Sequence, residues 1–178
     1  IDEADPGTII VIPDGTFSTS GGFNITQSGI TIRLSDGTVI QNNSPCFTVN
    51  ASFTKIYAQP GAKCIPVGGA NGIDVAADLT DIRVSKLEID GSGQSTGDGI
   101  HFAGAINGVV LADNKIHNLG GDGVEFVDSP TGTVDIHGNL FASNVGLGIK
   151  NSDATSPTVV DATYNSWGSY GGPTVEGG

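Results

Sequence analysis

The chain has 178 residues, 28 of them glycine, and its 19 acidic side chains against seven Lys and Arg give a formal net charge of −12. This length fits one domain or one segment of a repeat. The acidic balance argues against binding to nucleic acid or to an anionic membrane, whose phosphates need cations, and no apolar run is long enough to span a bilayer.

The first 22 residues predict a strand and a turn. Residues 8–12 (TIIVI) are β-branched, and residues 13–15 (PDG) carry turn-forming types. An acidic segment at residues 1–5 (IDEAD) precedes them. The chain is therefore expected to enter its first strand almost at once.

From residue 23 onward the same residue classes return every 24 to 27 positions. The clearest copies are residues 98–121 and 122–146, which both open with Asp-Gly followed by an apolar, a charged and an aromatic residue. A repeat of fixed length is typical of a solenoid. Three apolar columns follow the repeat: Phe23, Phe47, Ile73, Ile100, Val124 and Ile149; Ile10, Ile32, Ile56, Ile82, Val109, Val134 and Val160; and Phe17, Val39, Cys64, Ile89, Ile116, Phe141 and Trp167.

Each repeat holds three short stretches in which apolar and polar residues alternate, which is the strand period. Strands this short can pair with the equivalent strand of the next repeat, parallel and in register. The sequence therefore predicts an all-β fold, a right-handed parallel β-helix that forms a three-sided β-solenoid of about 7 coils of 22–27 residues. It predicts one domain over residues 1–178, with 1–22 as the first coil, 23–146 as central coils and 147–178 as the last coil and Gly-rich tail. A β-sandwich also uses short strands, but it does not explain the repeat.

Both ends of the chain resemble known β-helix proteins. Residues 162–168 (ATYNSWG) with the later Gly172-Pro173 resemble the Asn-x-Trp-Gly and Gly-Pro ending of adhesin-like β-helix proteins. Residues 6–17 (PGTIIVIPDGTF) resemble the first coil of right-handed β-helix proteins, a group of pectate-lyase-like enzymes, surface adhesins and S-layer-associated repeat proteins. In that group an amphipathic helix usually caps the first coil, and residues 1–5 match only its tail. The resemblance implies an extracellular or cell-surface location, but it selects no single activity because the fold hosts many.

One outward column carries candidate chemistry. Asp74, His101, Glu125 and Lys150 fall at equivalent positions, and neighbouring coils lie about 4.8 Å apart. The first interpretation is a glycosidase with Asp74, His101 and Glu125 as catalytic candidates, since two carboxylates about 10 Å apart approach the wide limit for inverting enzymes. The second is a charge ladder that stabilises neighbouring strands.

The charge ladder is favoured because coils of 24–27 residues leave no long loops to wall a cleft. The paired-Asp, Gly-His-Gly and Arg-x-Lys motifs of polygalacturonases are absent. Pectate lyases set calcium-binding acids beside a catalytic Arg or Lys, and neither Arg33 nor Arg83 has such a cluster in the predicted register. We therefore expect no catalytic residues.

Other polar residues favour structural roles. Asp98 and Asp122, with Asn71 one coil earlier, precede glycines and are interpreted as turn residues, because calcium needs six or more oxygen ligands. His117 and His137 lack metal-ligand spacing, so neither a metal nor a cofactor is expected.

The sequence also contains a regularly spaced set of asparagines and two cysteines. Three asparagines spaced 25 and 26 residues apart predict a ladder of side-chain amides at a bend: Asn114, Asn139 and Asn165. Cys46 and Cys64 fall on different faces, and the sequence leaves both a disulfide and two buried thiols open.

The favoured function is a non-catalytic, extracellular structural or adhesive β-solenoid that stacks head to tail into a fibre. Its partners would be further copies of itself, and glycans or a cell surface. The apolar residues at the two ends form the predicted self-association edges: Ile10 and Ile12 at one end, and Val160, Ala162 and Trp167 at the other. The alternative is a β-helix that binds or cleaves polysaccharide, as a glycoside hydrolase or lyase.

Overall fold

The computed structural model describes residues 3–18, 20–92, 95–153 and 160–168, which form three parallel sheets. Sheet A contains β1 (Ile9–Ile12), β4 (Thr31–Leu34), β7 (Lys55–Ala58), β10 (Thr80–Ser85), β13 (Asn107–Ala112), β16 (Val134–His137) and β19 (Val160–Asp161). Sheet B contains β2 (Gly15–Phe17), β5 (Thr38–Asn42), β8 (Lys63–Pro66), β11 (Glu88–Asp90), β14 (Lys115–His117) and β17 (Leu140–Ala142). Sheet C contains β3 (Phe23–Ile25), β6 (Phe47–Val49), β9 (Ile73–Val75), β12 (Ile100–Phe102), β15 (Val124–Phe126) and β18 (Ile149–Asn151).

The chain visits sheets A, B and C in turn, and each strand pairs with the equivalent strand one coil away. Sheet A has seven strands and sheets B and C have six each. The described residues contain no helix. The predicted all-β, three-sided solenoid is therefore confirmed, with about six complete turns. The predicted Gly-rich tail, from residue 169 onward, lies outside the described residues.

The interior is a narrow stack of aliphatic and aromatic side chains that point inward from all three sheets. The Phe102 and Phe126 rings, one coil apart, stack with centroids 4.7 Å apart. Phe141 and Trp167 stack at 5.2 Å. Because every strand alternates inward and outward residues, the same pattern that fills the core also builds regular rows of side chains on the outer faces.

Two of the predicted apolar columns are out of register. Ile56 pairs with Val84 and not with Ile82, so the buried Thr54 lies beside Ile82. A two-residue shift keeps the same side chains inside, and the apolar pattern therefore could not reveal it.

In sheet B, Ile40 and not Val39 occupies the inward position beside Phe17. Two consecutive apolar residues made that choice ambiguous from sequence. The neighbouring Thr38 points inward and is also buried, with its hydroxyl donating to the carbonyl oxygen of Pro13 at 2.9 Å.

A ladder of asparagines supports the corner between sheets A and B. The side-chain amide of Asn114 donates to Oδ1 of Asn139 at 2.9 Å, and that of Asn139 donates to Oδ1 of Asn165 at 3.0 Å. The same oxygens accept backbone N–H groups of the preceding coil, those of Asn114 and Asn139. The ladder begins at Leu87, whose N–H donates to Oδ1 of Asn114 at 3.0 Å. Buried backbone groups at the bend thereby find partners.

Cys46 and Cys64 form a disulfide in the structure. Cys46 precedes β6 of sheet C, Cys64 lies in β8 one coil later, and their Cα atoms are 6.0 Å apart. Both residues point into the core and are fully buried. The bridge therefore ties two successive coils from inside, and a crosslink that closes a loop of this size typically stabilises a fold by about 3 kcal/mol.

Candidate functional site

Sheet C carries a continuous row of outward-facing polar side chains, which we call the sheet C row. Each member pairs in register with the equivalent residue one coil away: Asn24, Thr48, Asp74, His101, Glu125 and Lys150. The three catalytic candidates from the sequence are thus consecutive neighbours on one face.

The second half of the row alternates in charge type. Nδ1 of His101 lies 3.5 Å from Oδ1 of Asp74, and its Nε2 lies 3.8 Å from Oε2 of Glu125. Nζ of Lys150 then donates to Oε1 of Glu125 at 2.8 Å and lies 3.4 Å from Oδ2 of Asp122. Each acid in this half of the row therefore has a basic or imidazole neighbour.

A second row of acceptors lines the turn that leads into sheet C. Oδ1 of Asn71 accepts the backbone N–H of Asp98 at 2.7 Å, and Oδ1 of Asp98 accepts that of Asp122 at 2.6 Å. Oδ1 of Asp122 in turn accepts the N–H of Leu147 at 2.6 Å. One side-chain oxygen of each residue thus accepts a hydrogen bond from a backbone N–H of the next coil.

The glycines that follow these residues are required by close packing between coils. A Cβ on Gly99 would lie 2.4 Å from the carbonyl oxygen of Gly123, and a Cβ on Gly123 would lie 2.5 Å from that of Gly148. Real Cβ atoms do not approach an oxygen so closely. The Asp-Gly pairs therefore serve coil stacking, with the Asp side chain bridging coils and the Gly allowing their contact.

The structure adds Asp98 to the catalytic candidates. One potential ligand atom each of Asp98, His101 and Glu125 lies within 4.8 Å of the others. Sequence reasoning missed this grouping because it assigned Asp98 to the turn alone. The signal was present, since Asp98 precedes His101 by three residues and both belong to the same coil.

The two carboxyls of this group have pKa values pushed in opposite directions. Burial is the largest effect on Asp98 and raises its pKa, and the nearby carboxyls of Glu125 and Asp122 act in the same direction. The hydrogen bond from Lys150 is the largest effect on Glu125 and lowers its pKa, with Ser152 and Asp98 adding to it. The pKa of Asp98 therefore lies above its ordinary value, and that of Glu125 lies below its own.

Two neighbouring carboxyls in different environments can act as an acid–base pair, but here Glu125 is also bonded to other groups of the protein. Oε1 of Glu125 already accepts hydrogen bonds from Lys150 at 2.8 Å and from Ser152 at 3.0 Å. One carboxylate oxygen of Asp98 lies within 4.8 Å of one of Glu125.

Sheet B carries a second cluster, centred on His117. Nε2 of His117 lies 3.0 Å from Oε1 of Glu88, and its Nδ1 lies 2.8 Å from the side-chain nitrogen of Asn118. An amide nitrogen donates, so in this arrangement Nδ1 accepts from Asn118 and Nε2–H donates to Glu88. Asn118 also donates to Oδ1 of Asp90 at 3.0 Å.

This cluster was also missed from sequence, where His117 was compared only with His137. Ligand atoms of Glu88, Asp90 and His117 lie within 4.8 Å of one another. Nζ of Lys115 donates to Oε1 of Glu88 at 2.7 Å. Burial would raise the pKa of Glu88, but the hydrogen bonds from Lys115 and His117 outweigh it, and the net shift is downward. The cluster is thus charge-compensated by the protein's own groups.

Surface hollows among the described residues lie at corners of the solenoid. One of about 550 Å³ is lined by polar residues at the corner between sheets B and C, among them Gln41 and Asn42. Another of about 360 Å³ includes Asn118 and Leu119. Neither is lined by Asp98, His101 or Glu125. Among the described residues, no helix has the length and apolar character needed to cross a bilayer.

The three parallel sheets, joined by short corners, place this chain in the class of three-sided β-solenoid proteins. The family model described as "Right handed beta helix region" matches residues 16–177. The chain therefore belongs to the right-handed β-helix family, and the resemblance seen in its sequence is confirmed. Searches of curated proteins and of solved structures found no match.

Proposed function

We propose that this chain is a non-catalytic, extracellular or cell-surface structural β-solenoid with an adhesive role. The observation that carries this proposal is the closed network around Glu125. Lys150 and Ser152 hydrogen-bond to its Oε1, and Nε2 of His101 lies 3.8 Å from its Oε2. The acids and bases of the row therefore contact one another, and these contacts stabilise the stacked coils.

The disulfide supports the location. Stable structural disulfides form in secreted and surface proteins and are rare where thiols are kept reduced. The bond between Cys46 and Cys64 is fully buried between two coils. It is suited to a structural role outside the reducing cytoplasm.

The same proposal includes head-to-tail stacking of copies. Within the described part of the chain, β1 pairs only with β4, and β19 pairs only with β16. The apolar columns reach both ends, through Ile10 and Ile12 at one and through Val160, Ala162 and Trp167 at the other. A strand edge with free N–H and C=O groups templates a further strand, and a head-to-tail contact that does not close produces a filament.

If copies stack head to tail, the assemblies should lengthen as the protein concentration rises. Sedimentation velocity and negative-stain imaging of the chain over a concentration series should show rods that lengthen as concentration rises. Ile10→Asp should abolish growth, because it places a charge in the apolar cross-section at the end. Ile9→Asp is the matched control, since Ile9 is in the same strand but 61% exposed on the outer face. A single monomeric species at every concentration, for the unmodified chain as for Ile10→Asp, would rule the stacking out.

The alternative is a β-helix that binds or cleaves polysaccharide, and the proximity of the Asp98 and Glu125 carboxyls is the observation in its favour. We expect no turnover of pectic, other plant or bacterial polysaccharides, with or without calcium, in a reducing-end assay. The reason is that Lys150 and Ser152 already hydrogen-bond to Oε1 of Glu125. Turnover that is lost in Glu125→Gln and retained in the sheet B variant Glu88→Gln would overturn the non-catalytic proposal.

A further inference from the structure

The outer face of sheet A carries a row in which charges are separated by sign, which we call the sheet A row. Successive members pair in register from one coil to the next: Lys55, Arg83, Val110, Asp135 and Asp161. Lys55 and Asp161 are exposed, and the side chains of Arg83 and Asp135 are 50% and 44% exposed. Along the row, two cationic side chains therefore come before the half-buried Val110, and two carboxylates come after it.

This order differs from that of the sheet C row. There, acids alternate with His101 and Lys150, so each charged group is compensated by its neighbour. In the sheet A row like charges are neighbours, which destabilises a strand pair. Local partners offset part of that cost, since Arg83 pairs with Asp81 at 2.6 Å and Asp135 with His137 at 2.7 Å. Both partners are on the same strand as the residue they contact, so the separation of sign along the row remains.

The row is complementary to itself when reversed. Consider a two-fold axis that passes through Val110 and runs parallel to the strands. Rotation about this axis generates a second copy whose sheet A faces that of the first, with the order of the row reversed. Arg83 then faces Asp135 of the other copy, and Lys55 faces Asp161. Val110 meets its own equivalent on the axis, and the half-buried Ala112 does the same in the parallel row. Two-fold contacts are isologous, so each charged pair occurs twice.

We propose that two copies of this chain associate side by side and antiparallel, sheet A against sheet A, through the sheet A row. Charge complementarity selects a second copy as the occupant of this face. The chain as a whole has a net charge of −12, so a random approach of two copies is repulsive. In the reversed arrangement the row pairs opposite charges across the contact, so the local interaction is attractive despite the repulsion between the two net charges.

The contact is small, and its strength follows from its size. Five strands about 4.8 Å apart, with about four residues each, span roughly 24 Å by 13 Å. That is about 300 Å² per copy, well under the roughly 800 Å² per partner of a stable complex. The dimer is therefore weak and sensitive to salt, because the Debye length shortens from about 30 Å at 0.01 M to about 10 Å at 0.1 M.

Charge reversal with complementation tests the geometry. Sedimentation equilibrium of the Ile10→Asp chain, in which head-to-tail stacking is blocked, at low salt from about 10 µM to about 1 mM, should show a monomer–dimer equilibrium that dissociates as salt is added. The charge reversals are made in this same background. Arg83→Asp and Asp135→Arg should each weaken self-association by at least about tenfold, because each replaces two attractive contacts by two like-charge contacts. An equimolar mixture of the two variants should dimerise again, because every mixed contact then joins opposite charges.

Lys115→Asp is the matched control, because it makes the same reversal on sheet B at a side chain that is 48% exposed. Its dimerisation should equal that of the Ile10→Asp chain without the reversal. Thermal unfolding of every variant, followed by circular dichroism, checks that each remains folded. A monomer at all concentrations, a dimer unaffected by both reversals, or a mixture that stays monomeric would overturn the proposal.

Discussion

Leu111→Ala is expected to lower the free energy of unfolding by about 2–5 kcal/mol, as other truncations of buried aliphatic side chains do. Leu111 lies in β13 near the centre of sheet A and is fully buried. It pairs in register with Val84 on one side and Ile136 on the other. The core at this point is a single column between three sheets, so few neighbours can move to fill the space that the lost methyl groups leave.

Urea denaturation measures this loss, and His101→Ala is the comparison. His101 contacts Asp74 and Glu125 at 3.5 and 3.8 Å on the outer face, and its side chain is 25% exposed. We expect that substitution to cost well under about 1 kcal/mol, because partly exposed charge contacts are weak. Equal shifts of the urea midpoint in the two variants would contradict the account of what stabilises this solenoid.

Asn139→Ala is expected to cost about 2–4 kcal/mol, because a buried group left without its partner costs roughly 1–3 kcal/mol. The side chain of Asn139 is the middle member of the ladder and is 1% exposed. Its Oδ1 accepts from both the backbone N–H and the side chain of Asn114. Its Nδ2 donates to the carbonyl oxygen of Leu111 at 2.8 Å. Alanine removes all of these bonds and leaves the N–H of Asn114 facing a cavity.

Thermal and urea unfolding of Asn139→Ala should be compared with Asn107→Ala, which removes the same side chain from an exposed position at the start of β13. Asn139→Asp is informative as well. It preserves size and the accepting oxygen but loses the donor to Leu111 and buries a carboxyl group, and it should also destabilise. A cost for Asn139→Ala no greater than that for Asn107→Ala would show that the ladder contributes little.

The fold was predictable because one physical signal repeats through the whole chain. Inward positions of sheet C, such as Ile73, Ile100 and Val124, recur at near-constant spacing and pair as that spacing predicts. Register in sheet A was not predictable in the same way. Sliding β10 by two residues against β7 leaves Ile82 and Val84 both buried. Only the hydrogen-bonding position of Thr54 distinguishes the two registers, and hydropathy does not record it.

The candidate site was predictable only along the strands. Asp74, His101 and Glu125 share a strand position, and periodicity alone aligns them. Asp98 belongs to a turn, and its approach to Glu125 depends on how the corner folds over the sheet. Turn geometry has no period that a sequence repeat can reveal. The contact between His117 and Glu88 could have been found, since both lie on sheet B one coil apart, but only by aligning polar as well as apolar positions.

The buried disulfide also has a mechanical consequence. A solenoid pulled by its two ends unravels coil by coil, and each released residue adds up to about 3.5 Å of contour length. Cys46 and Cys64 are separated by 18 residues that the crosslink withholds from extension. About 60 Å of chain therefore stays unavailable under load until a reductant reaches the bond. The coils on either side of the crosslink can unfold while the loop between the cysteines keeps its length, so the disulfide shortens the maximum extension of the oxidised chain.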